Sequence, residues 1–276
     1  MIHLLSIEWL KLKRLITLRV ILIVYALLLP LIFYSLSLMS GYGMFYGNKI
    51  YQFPDVYHYV TYISSFFNLL IGVIIVVFTC NEIKYKTQRQ NLIDGLSKKE
   101  FILSKFYTVI AFSLISTVFV LVISLILGLM YSDYNELSII LTDLEYLVAF
   151  FTKLVGFFSM GLFFGILVKR AAFAVGTMVV WFIGEGIFKG YLLWGFGDLK
   201  NTSNTVEFIL QLLPGEAISN LIKQPFSRLG AVKTLANTMG KTFDKPEVEL
   251  SGIFIVFVWT FIFIYLSYSL LKKRDL

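Results

Sequence analysis

The sequence predicts an all-α integral membrane protein. It has six transmembrane helices, an N-terminal amphipathic helix and both termini in the cytoplasm. Three observations predict this. Apolar runs of about 20 residues, the length that crosses a hydrocarbon core, recur through the whole chain. Only 15% of residues are charged while 58% are hydrophobic, against about a quarter charged in a soluble domain. The basic residues also gather in alternate connecting segments, which is how membrane helices are oriented.

Residues 1–19 predict an amphipathic connecting helix lying along the membrane surface. Ile2, Leu5, Trp9, Leu12 and Ile16 recur at three- to four-residue spacing, while Glu8, Lys11 and Arg14 take other faces. The remainder, 20–276, reads as one six-span domain, with spans near 20–40, 59–80, 106–130, 147–168, 171–194 and 251–271. Helices are the economical choice, because each satisfies its own backbone groups in lipid. The first run follows basic residues, as a signal peptide does. It is longer than a typical h-region and no A-x-A-like site follows, so it reads as a retained span.

Charge sets the orientation. Fifteen basic residues fall in 1–19, 81–105, 169–170 and 272–276, and seven fall in the opposite loops. The segment 131–146 carries only acids: Asp133, Glu136, Asp143 and Glu145. Both termini and the 81–105 connector are therefore expected in the cytoplasm. The net charge of +7 follows from basic residues at one membrane face and implies no nucleic-acid partner. The single cysteine, Cys80, allows neither an intramolecular disulfide nor a thiolate cluster. In the outer loop, 195–250, Val206–Leu213 and Ala217–Ile222 flank Pro214-Gly215. Both are too short to span, so they read either as short helices that dip into the outer leaflet and turn back or as an ordinary folded surface loop.

Catalytic signatures are missing. Gly240-Lys241-Thr242 ends like a phosphate-binding loop, but Leu235 stands where its first glycine belongs. Neither H-E-x-x-H nor G-x-S-x-G occurs, and the two histidines, His3 and His58, fall in flanks on opposite sides. No catalytic or metal-ligating set is expected, and ATP hydrolysis belongs to another chain.

Two features inside the spans are candidates for function. Glu185 and Lys189 stand at i, i+4 in the favourable order. A charge at mid-bilayer costs about 3 kcal/mol, so they read either as a pair near the outer end of span five or as a polar point on a substrate path. Lys153 reads as a snorkelling residue at the outer end of span four. Gly161 and Gly165 form one G-x-x-x-G, and Gly186 and Gly190 form another beside Glu185 and Lys189, both read as helix-packing sites.

The connector, 81–105, carries the most organised pattern. A short helix is expected over 87–94, with Leu92 and Ile93 as apolar anchors and Arg89 and Gln90 as polar ones. Asp94-Gly95 is a stop and turn signal. Ser97 with Glu100 is a capping box opening a helix that runs into span three.

On these residues the chain resembles the membrane subunit of a type 2 ABC exporter. That pattern has a Glu, a basic stretch, a turn with glycine or proline before Ser and a basic residue, and a Lys leading into span three. Here these positions are Glu82, Lys84-Tyr85-Lys86-Thr87, Leu92 to Lys98 with Gly95, and Lys105. The family's usual Gly-Thr stands as Lys86-Thr87. The Lys272 to Leu276 tail and LLPGEAISNLI over 212–222 also fit. The resemblance implies a permease moving a hydrophobic or amphipathic cargo (lipid, glycolipid, peptide or drug) by alternating access. A separate ABC ATPase subunit would hold the ATP and Mg, with no cofactor in this chain. It would dock at a coupling site of Glu82, Arg89, Leu92, Ile93, Asp94 and Gly95. It implies also a second permease copy or paralogue, contact with membrane lipid, and a bacterial cytoplasmic (inner) membrane. The competing readings are an ion-coupled secondary transporter using Glu185 and Lys189, and a non-transporting anchor or sensor subunit.

Overall fold

The structure is a computed structural model of the chain, and it describes residues 2–13, 15–39, 50–93, 95–133, 136–196, 203–225 and 247–273. Among them the regular structure is helical: α1 (Ile2–Lys13), α2 (Ile16–Met39), α3 (Val56–Ser65), α4 (Asn68–Lys84), α5 (Thr87–Ile93), α6 (Lys98–Tyr131), α7 (Leu137–Ile140), α8 (Glu145–Val168), α9 (Ala171–Phe196), α10 (Ser203–Leu212), α11 (Pro214–Asn220) and α12 (Leu250–Lys272).

Helix α8 is the hub. Its apolar stretch is 83% buried, and α4, α6, α9 and α12 pack around it. Close approach needs small residues, because lipid supplies no hydrophobic drive between helices. A side chain at Gly161 would meet Val76 of α4 and Met178 of α9, and one at Gly165 would meet Thr79 of α4. The first G-x-x-x-G is therefore a seam between α4 and α8. A side chain added at Gly186 or Gly190 would meet no described atom of another helix within 4 Å, so the second joins no described helix of this chain.

The outer helices carry apolar stripes that face away from the bundle. On α2 these are Ile23, Leu27, Leu31 and Tyr34, and on α12 Phe254, Phe257, Phe261 and Tyr265. Their three- to four-residue spacing is one helical face, and such extended exposed apolar surface suits lipid.

Among the described residues five helices are long and apolar enough to cross a membrane: those at 16–38, 98–131, 137–168, 171–192 and 250–272. The position expected for span two is a bent pair, α3 and α4, meeting at 46°. Here the ladder tightens to i→i+3 bonds, from Phe66 N to Ile63 O and from Phe67 N to Ser64 O. Ser65 Oγ adds a bond to Tyr62 O (2.7 Å), and such back-bonding bends helices.

The expected capped helix running into span three is present as α6, while the inward face of α1 differs from expectation. Helix α6 begins at Lys98 and has 34 residues, roughly 50 Å at 1.5 Å per residue. It thus overshoots a ~30 Å core, and its first turns can carry charge. The N-terminal helix ends at Lys13, and Ile16 opens α2. Glu8 and Leu12 turn inward while Trp9 and Leu10 are exposed. The inward face of α1 is therefore mixed in character, because it meets a charge from α6 as well as apolar side chains.

Candidate functional site

The connector is rooted in a charge quartet in which Glu8, Glu82 and Lys105 are buried and Lys11 is half-buried. Lys105 of α6, 1% exposed at its side chain, lies 2.5 Å from Glu8 Oε2 of α1. Its Nζ is also 2.6 Å from Glu82 Oε2 of α4. That second contact is close but not aligned as a hydrogen bond. Lys11 donates to Glu82 Oε1 at 3.0 Å and lies 3.7 Å from Glu8 Oε1. Ser104 Oγ donates to Glu8 Oε1 at 3.1 Å. The Phe78 and Phe101 rings face Lys105 Nζ at 4.0 and 5.2 Å, adding cation–π attraction. Two carboxylates and two ammonium groups give a neutral set. Each buried ion has a partner, which is the condition under which burial is tolerated. The quartet ties α1, α4 and α6 together.

Helix α5 hangs from this root between two left-handed residues. Lys86 has φ +57° and Gly95 has φ +106°. Thr87 Oγ1 donates to Glu82 O at 3.2 Å, and Leu96 N donates to Asn91 O at 3.0 Å. The expected capping box closes the far side. Ser97 N donates to Glu100 Oε2 at 2.8 Å, and Glu100 N donates to Ser97 Oγ at 3.2 Å. Lys98 Nζ then reaches Lys272 O at 3.4 Å, joining the start of α6 to the end of α12.

The predicted coupling residues divide by exposure. Arg89, Gln90, Ile93 and Gly95 are exposed, with Ile93 at 77%. Glu82 is buried at 4%, so it anchors the connector and is withdrawn from its surface. The Leu92 side chain and Asp94 lie outside the described residues, as do Gly240-Lys241-Thr242 and the tail from Arg274. Sequence reasoning placed Glu8 and Lys11 on solvated faces and missed their partnership. The available signal was an acid at i and a base at i+3 in a mostly apolar helix.

At the opposite end, Glu185 and Lys189 do not pair with each other, and both reach the Pro214–Asn220 helix. Glu185 Oε1 accepts from Gly215 N and Oε2 from Glu216 N, both at 3.1 Å. It also accepts a short bond from Trp181 Nε1. Lys189 Nζ pairs with Glu216 Oε2 at 2.9 Å. The first N–H groups of a helix lack internal partners, and the Glu185 carboxylate accepts from two of them. A side chain at 215 would run into Glu185 and Phe182, which explains the glycine there. Helix α11 is thereby held against α8, α9 and α12. Lys223 Nζ, 2.6 Å from Glu249 Oε1, ties the end of this segment to the start of α12. The Lys223 hydrogen bond and charge hold the Glu249 carboxyl below its ordinary range.

Among the described residues no group of three or more His, Cys, Asp or Glu side chains is placed to hold a metal. Comparison with curated proteins and comparison with solved structures return no match. The family model described as "ABC-2 family transporter protein" matches residues 4–185. The matched region holds the quartet, the connector and the α4–α8 seam, and it stops at Glu185, before α10, α11 and α12. A match over that much of the chain, on helices of this length, shows that the chain belongs to the ABC-2 transporter family as a type 2 ABC permease, a membrane transport component.

Proposed function

We propose that this chain is the membrane subunit of an ATP-driven exporter, with its connector, its termini and a partner ATPase on the cytoplasmic side. The observation that carries the reading is the rooted α5. A partner can move membrane helices only through a stiff contact. Helix α5 is fixed at both ends by left-handed turns and braced by the quartet across three helices. Arg89, Gln90 and Ile93 point outward. A push on them is passed to α4, α6 and α1 as one body. Alternating access with a second copy or a paralogue follows from such a motion. The lipid-facing stripes suit a hydrophobic or amphipathic cargo in a bacterial inner membrane.

The ion-coupled alternative has less support. Glu185 and Lys189 are already engaged by the Pro214–Asn220 helix. Ile93→Asp tests the exporter reading. The variant is expected to fold as wild type does, because the side chain is exposed. It should lose co-purification with a co-expressed partner ABC ATPase, together with ATP-dependent transport. Transport that persists in Ile93→Asp vesicles on an ion gradient alone would overturn the reading.

A further inference from the structure

We infer that the cleft at the α3–α4 break is a binding site for an anionic amphiphile. Its phosphate or carboxylate would sit on Lys153 and its tail against an aromatic wall. The inference goes beyond the exporter reading, since the binding it predicts needs no ATPase.

The cleft has a volume of about 440 Å³, in the range of small-molecule pockets. Lys153 of α8 lines it and is 8% exposed. Its Nζ donates to Ser65 Oγ at 3.3 Å and to Ser219 O at 3.1 Å. An ammonium group has three N–H donors, so one is left over. Both acceptors are neutral, and among the described residues no carboxylate pairs with Lys153. The contrast with Lys105, held between two carboxylates, is direct. A buried charge without a counter-charge is costly, and a ligand anion would supply one.

A second side chain points to the same kind of ligand. Asn68 also lines the cleft and is 4% exposed. Its Oδ1 is buried without a donor. A hydroxyl on the head group would satisfy it, as in a phosphoglycerol. The remaining wall is apolar. Phe157 and Phe182 stack there with centroids 5.9 Å apart, and Phe66 and Leu69, both exposed, stand at the rim. A free inorganic anion would leave that wall unused, whereas an acyl chain would cover it.

The cleft is separate from the quartet. Asn68 opens α4 and Glu82 lies near its end, roughly 20 Å apart at 1.5 Å per residue. Its floor includes Ile218 and Ser219 of α11, which Glu185 holds in place.

The test uses the purified full chain in non-ionic detergent. It is titrated with short-chain phosphatidylglycerol, phosphatidylcholine and sodium phosphate, and bound lipid is counted by native mass spectrometry. Phosphatidylglycerol should bind at least tenfold more tightly than phosphatidylcholine. Lys153→Met should erase that preference and Lys153→Arg should keep it. Leu69→Trp, which narrows the mouth without touching Lys153, should weaken phosphatidylglycerol binding. Equal binding of the two lipids to wild type, or an unchanged preference in Lys153→Met, overturns the inference. Saturation by sodium phosphate as tight as by phosphatidylglycerol overturns the amphiphile in favour of a free anion. If Lys153→Met does not fold, the wild-type preference and Leu69→Trp decide. Since no ATPase is present, failure here is distinct from failure of the Ile93→Asp experiment.

Discussion

Lys105 shows how one residue type takes opposite roles in this chain. As a basic residue beside a span it contributes to orientation. Buried at 2% between Glu8 and Glu82, it is also the pin of the connector. Lys105→Met would leave two carboxylates facing each other with only Lys11 to balance them. Removing one partner of a buried pair costs about 3–5 kcal/mol, so thermal melting should fall markedly, and Glu8→Gln in the same chain should recover part of the loss. At the connector's first turn, Lys86 sits at φ +57°, where the family commonly has glycine. A non-glycine residue in that region costs roughly 1–2 kcal/mol. Lys86→Gly should therefore raise the melting temperature, and Gly95→Ala, at φ +106°, should lower it. A drop for Lys86→Gly would mean that the lysine side chain contributes more than its backbone costs.

At the scale of elements, α11 is the clearest case of a helix held from outside. Helix α11 has seven residues, too few for a helix to persist by itself. Its first N–H groups are satisfied by Glu185, a residue of another helix. Glu185→Gln keeps one acceptor and loses the charge, a change on the order of 1–3 kcal/mol for a buried hydrogen-bonded group. The expected result is faster maleimide labelling of a cysteine placed at buried Ala217 in a Cys80→Ser background. Unchanged labelling would mean that packing alone holds α11. The α3–α4 break is the second such case. Period and length imply one span over 59–80, and the chain turns by 46° within it. No proline marks the place. The cause is local i→i+3 bonding around Ser64 and Ser65, which a hydropathy pattern does not register.

For the whole molecule, the two glycine pairs make a direct comparison. Gly161 faces Val76 and Met178, while a side chain added at Gly186 would meet no described atom of another helix within 4 Å. Gly161→Leu should destabilise the purified chain by about 1–3 kcal/mol through overpacking. Gly186→Leu should leave its melting temperature unchanged. If Gly186→Leu melts early in the isolated chain, the open space beside α9 is filled by this chain itself. The hub position of α8 has the same origin as this contrast. Its small residues let α4 and α12 approach closely, whereas α9 keeps most of its surface outward.

Much was legible in the residues themselves. Helical class, the approximate places of the long apolar helices, the capping box at Ser97 and Glu100, and the family all follow from local information. Hydropathy over about 20 residues, a cap at three-residue spacing and a short motif each need only neighbours in sequence. The partners of the charges were not legible in this way. Glu8 meets Lys105 across 97 residues, and Glu185 meets Gly215 across 30. A charge is read from sequence as solvated or paired with an i+3 or i+4 neighbour, because those are the partners sequence can show. Only the tertiary structure decides which charges leave water together, since that depends on which helix ends the packing brings to one depth. It turned Glu82 from a surface residue into an anchor, and it left Lys153 buried without a counter-charge among the described residues.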